Sequence, residues 1–314
     1  MDFEKPRIVV SKCIEFEPCR YNGLMIKSDI VKKLKDYADF LPVCPEVGMG
    51  LGVPRDPIRV VNSRGKLELF QPKTGKIFTD EMNEFSKSFL ESISDVDGFI
   101  LKNKSPSCGV KAINIYPSFE DSRPSKDGIG LFASKVSKYF PKLPLEDEGR
   151  LRNLIIRENF LTSIFTIASF RRTFSGGLND LITFHTKNKL LLMSHSPYYL
   201  KIMGNTLANN DNKSFDNIKA EYQGLLFRSL AEDQNPSLNV NVMMHAMGYF
   251  SKEIKHDEKT LFLNTLNDYK DGRIPRLVCL KMLELWITRF ENEYLAEQTF
   301  FKPYPPDLMQ ITFI

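Results

Sequence analysis

The periodicity of the apolar residues changes partway along the chain, and that change limits the fold more than any other feature. Over the first 150 residues, short β-branched runs alternate with helical patterns, as in a parallel α/β sheet. Arg7-Ile-Val-Val10 reads as a strand ending at Ser11-Lys-Cys13. Ser28 to Ala38 reads as an amphipathic helix capped by Ser28 or Asp29, and Phe40-Leu-Pro-Val43 as a strand that delivers Cys44. Ile58–Val61 and Lys66–Phe70 form a hairpin, a helix runs from Thr79 to Ile93, and Gly98–Leu101 is the next strand. A helix near Gly130 to Tyr139 and a strand around Lys142 to Leu145 complete the unit. From Glu146 onward, Phe160–Phe170, Leu181–Met193, Phe215–Leu230, Phe262–Tyr269 and Arg276–Phe290 carry apolar residues at three-to-four spacing. The expected organisation is an α/β domain over 1–150 with an open, mostly parallel, Rossmann-like sheet, a connecting helical segment over 151–180, and an all-α domain over 181–314.

Composition removes several classes. With 314 residues, 42% hydrophobic and 26% charged, the chain is not a disordered or collagen-like sequence. No window approaches the ~18 uncharged apolar residues of a membrane span. The N-terminus, Met1-Asp-Phe-Glu-Lys-Pro-Arg7, lacks the pattern of a secretory signal. The expectation is a cytoplasmic protein, away from membranes and with no obligate protein partner. Net charge is only +4, but it is unevenly placed. Between Leu151 and Lys201, Arg152, Arg157, Arg171, Arg172, Lys187, Lys189 and Lys201 face only Glu158 and Asp180, a local basic patch.

Four of the five cysteines, Cys13, Cys19, Cys44 and Cys108, lie in the first 110 residues, with Cys279 far downstream. In a reducing compartment such clustering favours a metal site or a nucleophile over disulfides. Cys13, Cys44 and Cys108 each follow an apolar strand, and parallel strands share one carboxyl edge where ligands bind. Three thiolates suit a soft metal, zinc or iron–sulfur, although no Cys-x-x-Cys pair exists and buried structural thiols are the plainer reading. A nucleophilic Cys108 wants a histidine base, and His185, His195, His245 and His256 all lie in the helical half. Glu46 and Ser105 stand beside any such site; the plainer alternatives are a solvated carboxylate and a turn cap. Gly48-Met-Gly50-Leu-Gly52 reads either as an anion cradle of backbone N–H groups or as turn geometry.

Ser11-Lys-Cys13-Ile14 with Pro18-Cys-Arg-Tyr-Asn-Gly23, Cys44-Pro-Glu-Val-Gly-Met-Gly-Leu-Gly-Val-Pro-Arg55 and Lys104-Ser-Pro-Ser-Cys-Gly109 together resemble the TudS-type thiouracil desulfidase family. Phe184 to His195, Met244-His-Ala-Met-Gly-Tyr-Phe250, Glu258-Lys259 and Asp271-Gly-Arg-Ile-Pro275 resemble the YbgA-type helical domain. The pairing is similar to two-domain enzymes that remove sulfur from 4-thiouridine in transfer RNA. The resemblance implies an α/β domain holding a 4Fe-4S cluster by three cysteines, here Cys13, Cys44 and Cys108, with the fourth iron open to the substrate sulfur. It implies Glu46 and Ser105 as the catalytic pair and leaves Cys19 outside the ligand set. Lys12 and Ile14 depart from the small residue and leucine usual around the first cysteine, a change of packing more than of ligation.

The implied reaction polarises the thiocarbonyl on iron so that water attacks the pyrimidine carbon, converting 4-thiouridine to uridine and releasing hydrosulfide without electron transfer. Glu46 would activate water or relay its proton, and Ser105 would hydrogen-bond the developing tetrahedral centre. In this reading thiolated tRNA is the partner, and Arg171, Arg172, Lys187 and Lys189 pair with its phosphates. Phe160, Phe165, Phe170, Phe174, Tyr198 and Tyr199 interleave with them, as stacking surfaces or, the commoner case at helical spacing, as core. Cys279 and Trp286 share the apolar face of one helix and read as core. Two other functions stand beside this one: desulfuration of free thiouracil or thiolated nucleotides, and a non-catalytic iron–sulfur module for RNA binding or redox sensing.

Overall fold

The computed structural model describes residues 3–120, 123–208, 212–232 and 235–309. Met1 and Asp2, which open the acidic N-terminus, lie outside the described residues. The chain divides into two compact units, one comprising 1–168 with the described residues 305–309, the other 169–304. The division falls after Ala168, inside a single 19-residue helix.

In the first unit the elements run β1 (Arg7–Ser11), α1 (Asp29–Leu34), β2 (Asp39–Val43), α2 (Pro45–Gly48), β3 (Arg59–Ser63), β4 (Lys66–Gln71), β5 (Lys76–Ile77), α3 (Thr79–Ser92), β6 (Gly98–Leu101), β7 (Ile113–Tyr116), β8 (Ser125–Gly128), α4 (Leu131–Tyr139), β9 (Leu145–Asp147) and α5 (Leu154–Arg172), which continues past the division. Strands β2-β1-β6-β9 form an all-parallel sheet. Ile8, Val9 and Val10 of the central β1 are fully buried, as a strand covered on both faces requires. The alternation of strand and helix thus yields the parallel sheet that the sequence predicts. A second, mixed sheet, β5-β4-β3-β7-β8, holds the expected hairpin, which pairs antiparallel from Arg59↔Phe70 to Ser63↔Lys66. Beyond the hairpin, nothing in the sequence announces that sheet, because β7 and β8 are four residues each and β8, Ser-Lys-Asp-Gly, has no apolar alternation.

Two boundaries differ from those read in the sequence. Ser28 precedes α1 but makes no capping hydrogen bond, and α1 stops at Leu34 rather than Ala38. The last strand is Leu145–Asp147, displaced toward the C-terminus from the expected position. Helix α5 lies close to β6: a methyl at Gly98 would come within 2.8 Å of the Ile164 side chain. The C-terminal residues return to this unit, and Tyr37 Oη donates to Asp307 Oδ2 at 2.6 Å.

The second unit contains α6 (Leu178–Lys187), α7 (Lys189–His195), α8 (Pro197–Ala208), α9 (Phe215–Leu230), α10 (Pro236–Gly248), α11 (His256–Lys270), α12 (Arg276–Arg289) and α13 (Glu293–Ala296), with no strand among its described residues. The predicted helix over Leu181–Met193 is instead two helices, α6 and α7. Buried Asn188 separates them, giving an Nδ2 donor to Phe184 O and accepting Thr299 Oγ1 on Oδ1 at 2.7 Å. Cys279 and Trp286 are buried with Phe250, Phe262 and Leu283 in the core of this unit. Among the described residues no helix is long and apolar enough to cross a membrane.

Candidate active site at the strand ends

Three neighbouring parallel strands end at one edge, so the chain leaving each is delivered to the same place. Ser11 pairs with Val43, and Val10 with Ile100, which sets the exits of β1, β2 and β6 level. Two backbone donors tie those exits together: Lys12 N to Val43 O at 2.8 Å, and Lys102 N to Ser11 Oγ at 2.9 Å. Cys13 follows β1, Cys44 follows β2, and Cys108 sits on the loop after β6. All three line one cavity of about 300 Å³, together with Glu46, Ser105 and Cys19.

Cys19 is the thiol that the family resemblance leaves outside the ligand set. It is buried, it hydrogen-bonds to the Cys13 and Cys44 thiols, and its carbonyl accepts from Arg55 Nη1 at 3.0 Å. The Cys13 hydrogen bond, helped by burial, pushes the Cys19 thiol up to about 11. Cys44 is pushed well above the usual thiol range by the Cys19 hydrogen bond and by burial, and Cys108 by burial above all. Without a cation Cys44 and Cys108 therefore favour the protonated thiol, and a metal group must displace those protons to bind them.

Glu46 is not a solvated carboxylate. Pro45 opens the one-turn helix α2 at a position where its missing N–H costs nothing, and Glu46 follows it into the cavity wall. Arg55 Nε and Nη2 donate to Oε2 at 2.8 and 2.7 Å, and Ser107 Oγ donates to Oε1 at 2.9 Å. The two charged side chains are only 6% and 12% exposed, a regime in which an ion pair is sustained by its geometry and by further hydrogen bonds. Arg55 and Ser107 are site residues that sequence reasoning missed in these roles. Arg55 closes the second quoted motif, which was the available signal; nothing in sequence distinguishes Ser107 from any loop serine.

Ser105 does cap a turn: its Oγ accepts from Ser107 N at 3.2 Å and Cys108 N at 3.0 Å. A hydroxyl has two acceptor sites and one donor, so this capping fixes the oxygen and leaves the O–H to donate elsewhere. Turn cap and cavity-facing donor are thus compatible. The glycine run serves geometry. A Cβ on Gly48 would meet the Phe85 ring at 2.1 Å, and Gly50 has φ +96°.

The described cavity lining offers four thiols and no imidazole, a donor set for a soft, thiolate-bound group. Among the described residues no three His, Cys, Asp or Glu side chains are gathered for one single ion. The cysteines instead come from separate strand ends around a volume, which fits a polynuclear iron–sulfur group that takes one thiolate per iron.

In the second unit, Arg172 and Lys187 line a cavity of about 380 Å³ with Asp180, Thr183 and Asn188. Lys189 is exposed, and Arg171 at the end of α5 is half-buried. The interleaved aromatics Phe160, Phe165 and Phe170 are buried core, whereas Tyr198 is exposed. His195 is buried, and His185 is engaged with Tyr222 Oη at 3.0 Å.

Comparison with known proteins divides the chain in the same sense. Residues 8–148 match the family described as 2-thiouracil desulfurase, and residues 189–305 match a family described as a protein of unknown function, DUF1722. The chain is similar to the uncharacterized protein YbgA of Escherichia coli, 25% identical over 151 residues, covering 47% of this chain and 89% of that protein. It is also similar to the uncharacterized protein YbbK of Bacillus subtilis, 32% identical over 111 residues, covering 32% of this chain and 72% of YbbK. A solved structure described as the 4Fe-4S-dependent thiouracil desulfidase TudS aligns with 26% identity and a TM-score of 0.39, over 49% of this chain and 98% of that one.

Proposed function

The chain belongs to the 2-thiouracil desulfurase family through its first unit and carries a DUF1722 region after it, and from that premise we propose that it is an iron–sulfur-dependent desulfidase converting 4-thiouridine in tRNA to uridine. The observation that carries the reading is the meeting of Cys13, Cys44 and Cys108 with Glu46 and Ser105 around one cavity. Cys13, Cys44 and Cys108 would hold a 4Fe-4S cluster, leaving one iron without a protein thiolate. When bound, that cluster supplies a Lewis-acidic position for a soft thiocarbonyl sulfur.

The chain's own residues supply the rest. Glu46 is an acceptor whose orientation is set by Arg55 and Ser107. A carboxylate has about four acceptor sites, so it keeps capacity to hold a water and take its proton. Ser105, its oxygen fixed by two backbone donors, directs its O–H toward charge that develops on the attacked centre. Water adds to the carbon bearing sulfur as Glu46 takes one of its protons. The C–S bond then breaks to release hydrosulfide while the carbonyl forms. The two water protons end as one on the sulfide and one lost to solvent, so no electron donor is needed. The basic stretch of the second unit, Arg171, Arg172, Lys187 and Lys189, would pair with tRNA phosphates.

The test is anaerobic purification with iron and acid-labile sulfide analysis, followed by nucleoside analysis of 4-thiouridine-containing tRNA after incubation. Roughly four irons per chain and conversion to uridine are expected. A zinc-loaded or metal-free protein overturns the reading. A second reading, turnover of free thiouracil or of a thiolated nucleotide, is favoured by the cavity's confinement to the first unit. Equal rates on free base and tRNA would select it.

A further inference from the structure

The three thiols proposed as ligands do not share one environment. Cys13 and Cys44 both meet the Cys19 thiol, a weak hydrogen-bond donor. Cys108 instead meets a hydroxyl: Ser11, the last residue of β1, hydrogen-bonds to its thiol. Ser11 is 1% exposed and, like Cys108, lines the cavity.

The direction of that hydrogen bond follows from the other contact of the same oxygen. Lys102 N donates to Ser11 Oγ at 2.9 Å, so the oxygen is an acceptor on that side. Its one hydroxyl proton is left to donate, and the Cys108 sulfur receives it. Both ends of the arrangement are fixed. Ser11 pairs with Val43 in the parallel sheet. Lys102 Nζ donates to Asn103 O at 2.7 Å and to Glu148 Oε1 at 2.6 Å, and Asn103 N donates to Glu148 Oε2 at 2.7 Å. Glu148 thus holds the exit of β6, that exit holds the Ser11 oxygen, and the Ser11 proton faces the sulfur.

A thiolate gives electron density to the iron it binds, and a hydrogen bond to the sulfur draws part of that density back. Hydrogen bonds to cluster sulfurs are accordingly among the terms that set the reduction potential of an iron–sulfur group. An electron-poorer iron also polarises a bound thiocarbonyl more strongly. We propose that Ser11 is a positioning residue that acts through Cys108, its O–H donating to the Cys108 thiolate so that the cluster is more electron-poor than three bare thiolates would make it. The inference rests on the proposed ligation by Cys13, Cys44 and Cys108 and on the Lewis-acid role of the cluster. It assigns Ser11 no contact with substrate.

The experiment reads the cluster itself, not turnover. The anaerobically loaded full chain is compared with Ser11→Ala and Ser11→Thr by redox titration, and by resonance Raman spectra of the iron–thiolate stretches in H2O and in D2O. In the unsubstituted chain those stretches are expected to shift on deuteration. Ser11→Thr, which keeps the hydroxyl, should reproduce both that shift and the midpoint potential. Ser11→Ala should lose part of the deuterium shift. Its midpoint potential should fall by about 59 mV, a tenfold change in the oxidised-to-reduced ratio of a one-electron couple. Stretches that ignore deuteration in the unsubstituted chain overturn the inference without any variant. So does a Ser11→Ala chain whose cluster keeps the original potential and deuterium shift, even if it holds less iron, since Ser11 would then be structural only. A chain that shows these shifts but has no desulfidase activity overturns the proposed reaction and leaves the Ser11 hydrogen bond standing. An active desulfidase whose potential and spectra ignore Ser11 does the reverse, and a chain that binds no cluster overturns both.

Discussion

At the scale of single residues, the proposed cluster ligation divides the cavity thiols into Cys13, Cys44 and Cys108 on one side and Cys19 on the other. Cys13→Ala, Cys44→Ala and Cys108→Ala are each expected to abolish cluster binding, since an iron that loses its only protein thiolate is no longer anchored. Cys19→Ala should keep the chromophore; a bleached variant would make Cys19 a ligand. The cluster-free protein has its own signature. A thiol whose folded pKa is raised contributes stability below its unfolded pKa and loses it as pH rises through the folded one. Cys19 moves from 9.0 to about 11, with Cys44 and Cys108 shifted in the same direction. The melting temperature of the cluster-free chain should therefore fall steadily between pH 9.0 and about 11, and that of the loaded chain, whose ligands are held as thiolates, should fall less. Glu46→Gln should retain the cluster and lose roughly 10²- to 10⁴-fold in turnover. Glutamine is the better test than alanine, because removing the partner of buried Arg55 costs about 3–5 kcal/mol in stability. Ser105→Ala should behave as Glu46→Gln does; unchanged kcat in either removes that residue from the mechanism.

At the scale of elements, the loop carrying Cys108 is held by the N-terminus of α4. Gly130 N donates to Gly109 O at 2.8 Å, Leu131 N to Pro106 O at 3.0 Å and Ala133 N to Ser107 O at 3.1 Å. The approach is so close that a Cβ on Gly130 would lie 2.4 Å from Ser107 O, a backbone atom that no rotamer change can move. Gly130→Ala should thus displace the Ser105–Cys108 turn, costing about 1–3 kcal/mol as an overpacked site and lowering iron retained after desalting. Gly23→Ala, in a turn with open space around its Cβ position, controls for the strain of a glycine substitution. Full iron content in Gly130→Ala would show that the α4 contacts do not position Cys108.

At the scale of the whole molecule, the proposed tRNA substrate and the uneven charge together predict where an RNA would be held. Arg172 and Lys187 line one cavity of the second unit, and their reversal, Arg172→Glu with Lys187→Glu, should weaken binding of 4-thiouridine-containing tRNA. The slope of log affinity against log salt should become shallower by about 0.9 for each duplex phosphate that is no longer neutralised. An unchanged slope would mean that tRNA is held over another surface.

Local sequence was enough for the two-part architecture, because apolar period and β-branched runs act over a few residues. The burial of Ile8, Val9 and Val10 was legible in the uninterrupted β-branched run of β1, and the three cysteines were legible because each follows such an apolar strand. Beyond its β3–β4 hairpin the second sheet was not, since β7 and β8 owe their state to partners distant in the chain. The candidate site divides in the same way. Residue types, strand ends and motif resemblance named Cys13, Cys44, Cys108, Glu46 and Ser105, but hydrogen-bond partners are set by atoms that meet only after folding. That is why Arg55 and Ser107 on Glu46, and Cys19 between Cys13 and Cys44, belong to the tertiary structure alone.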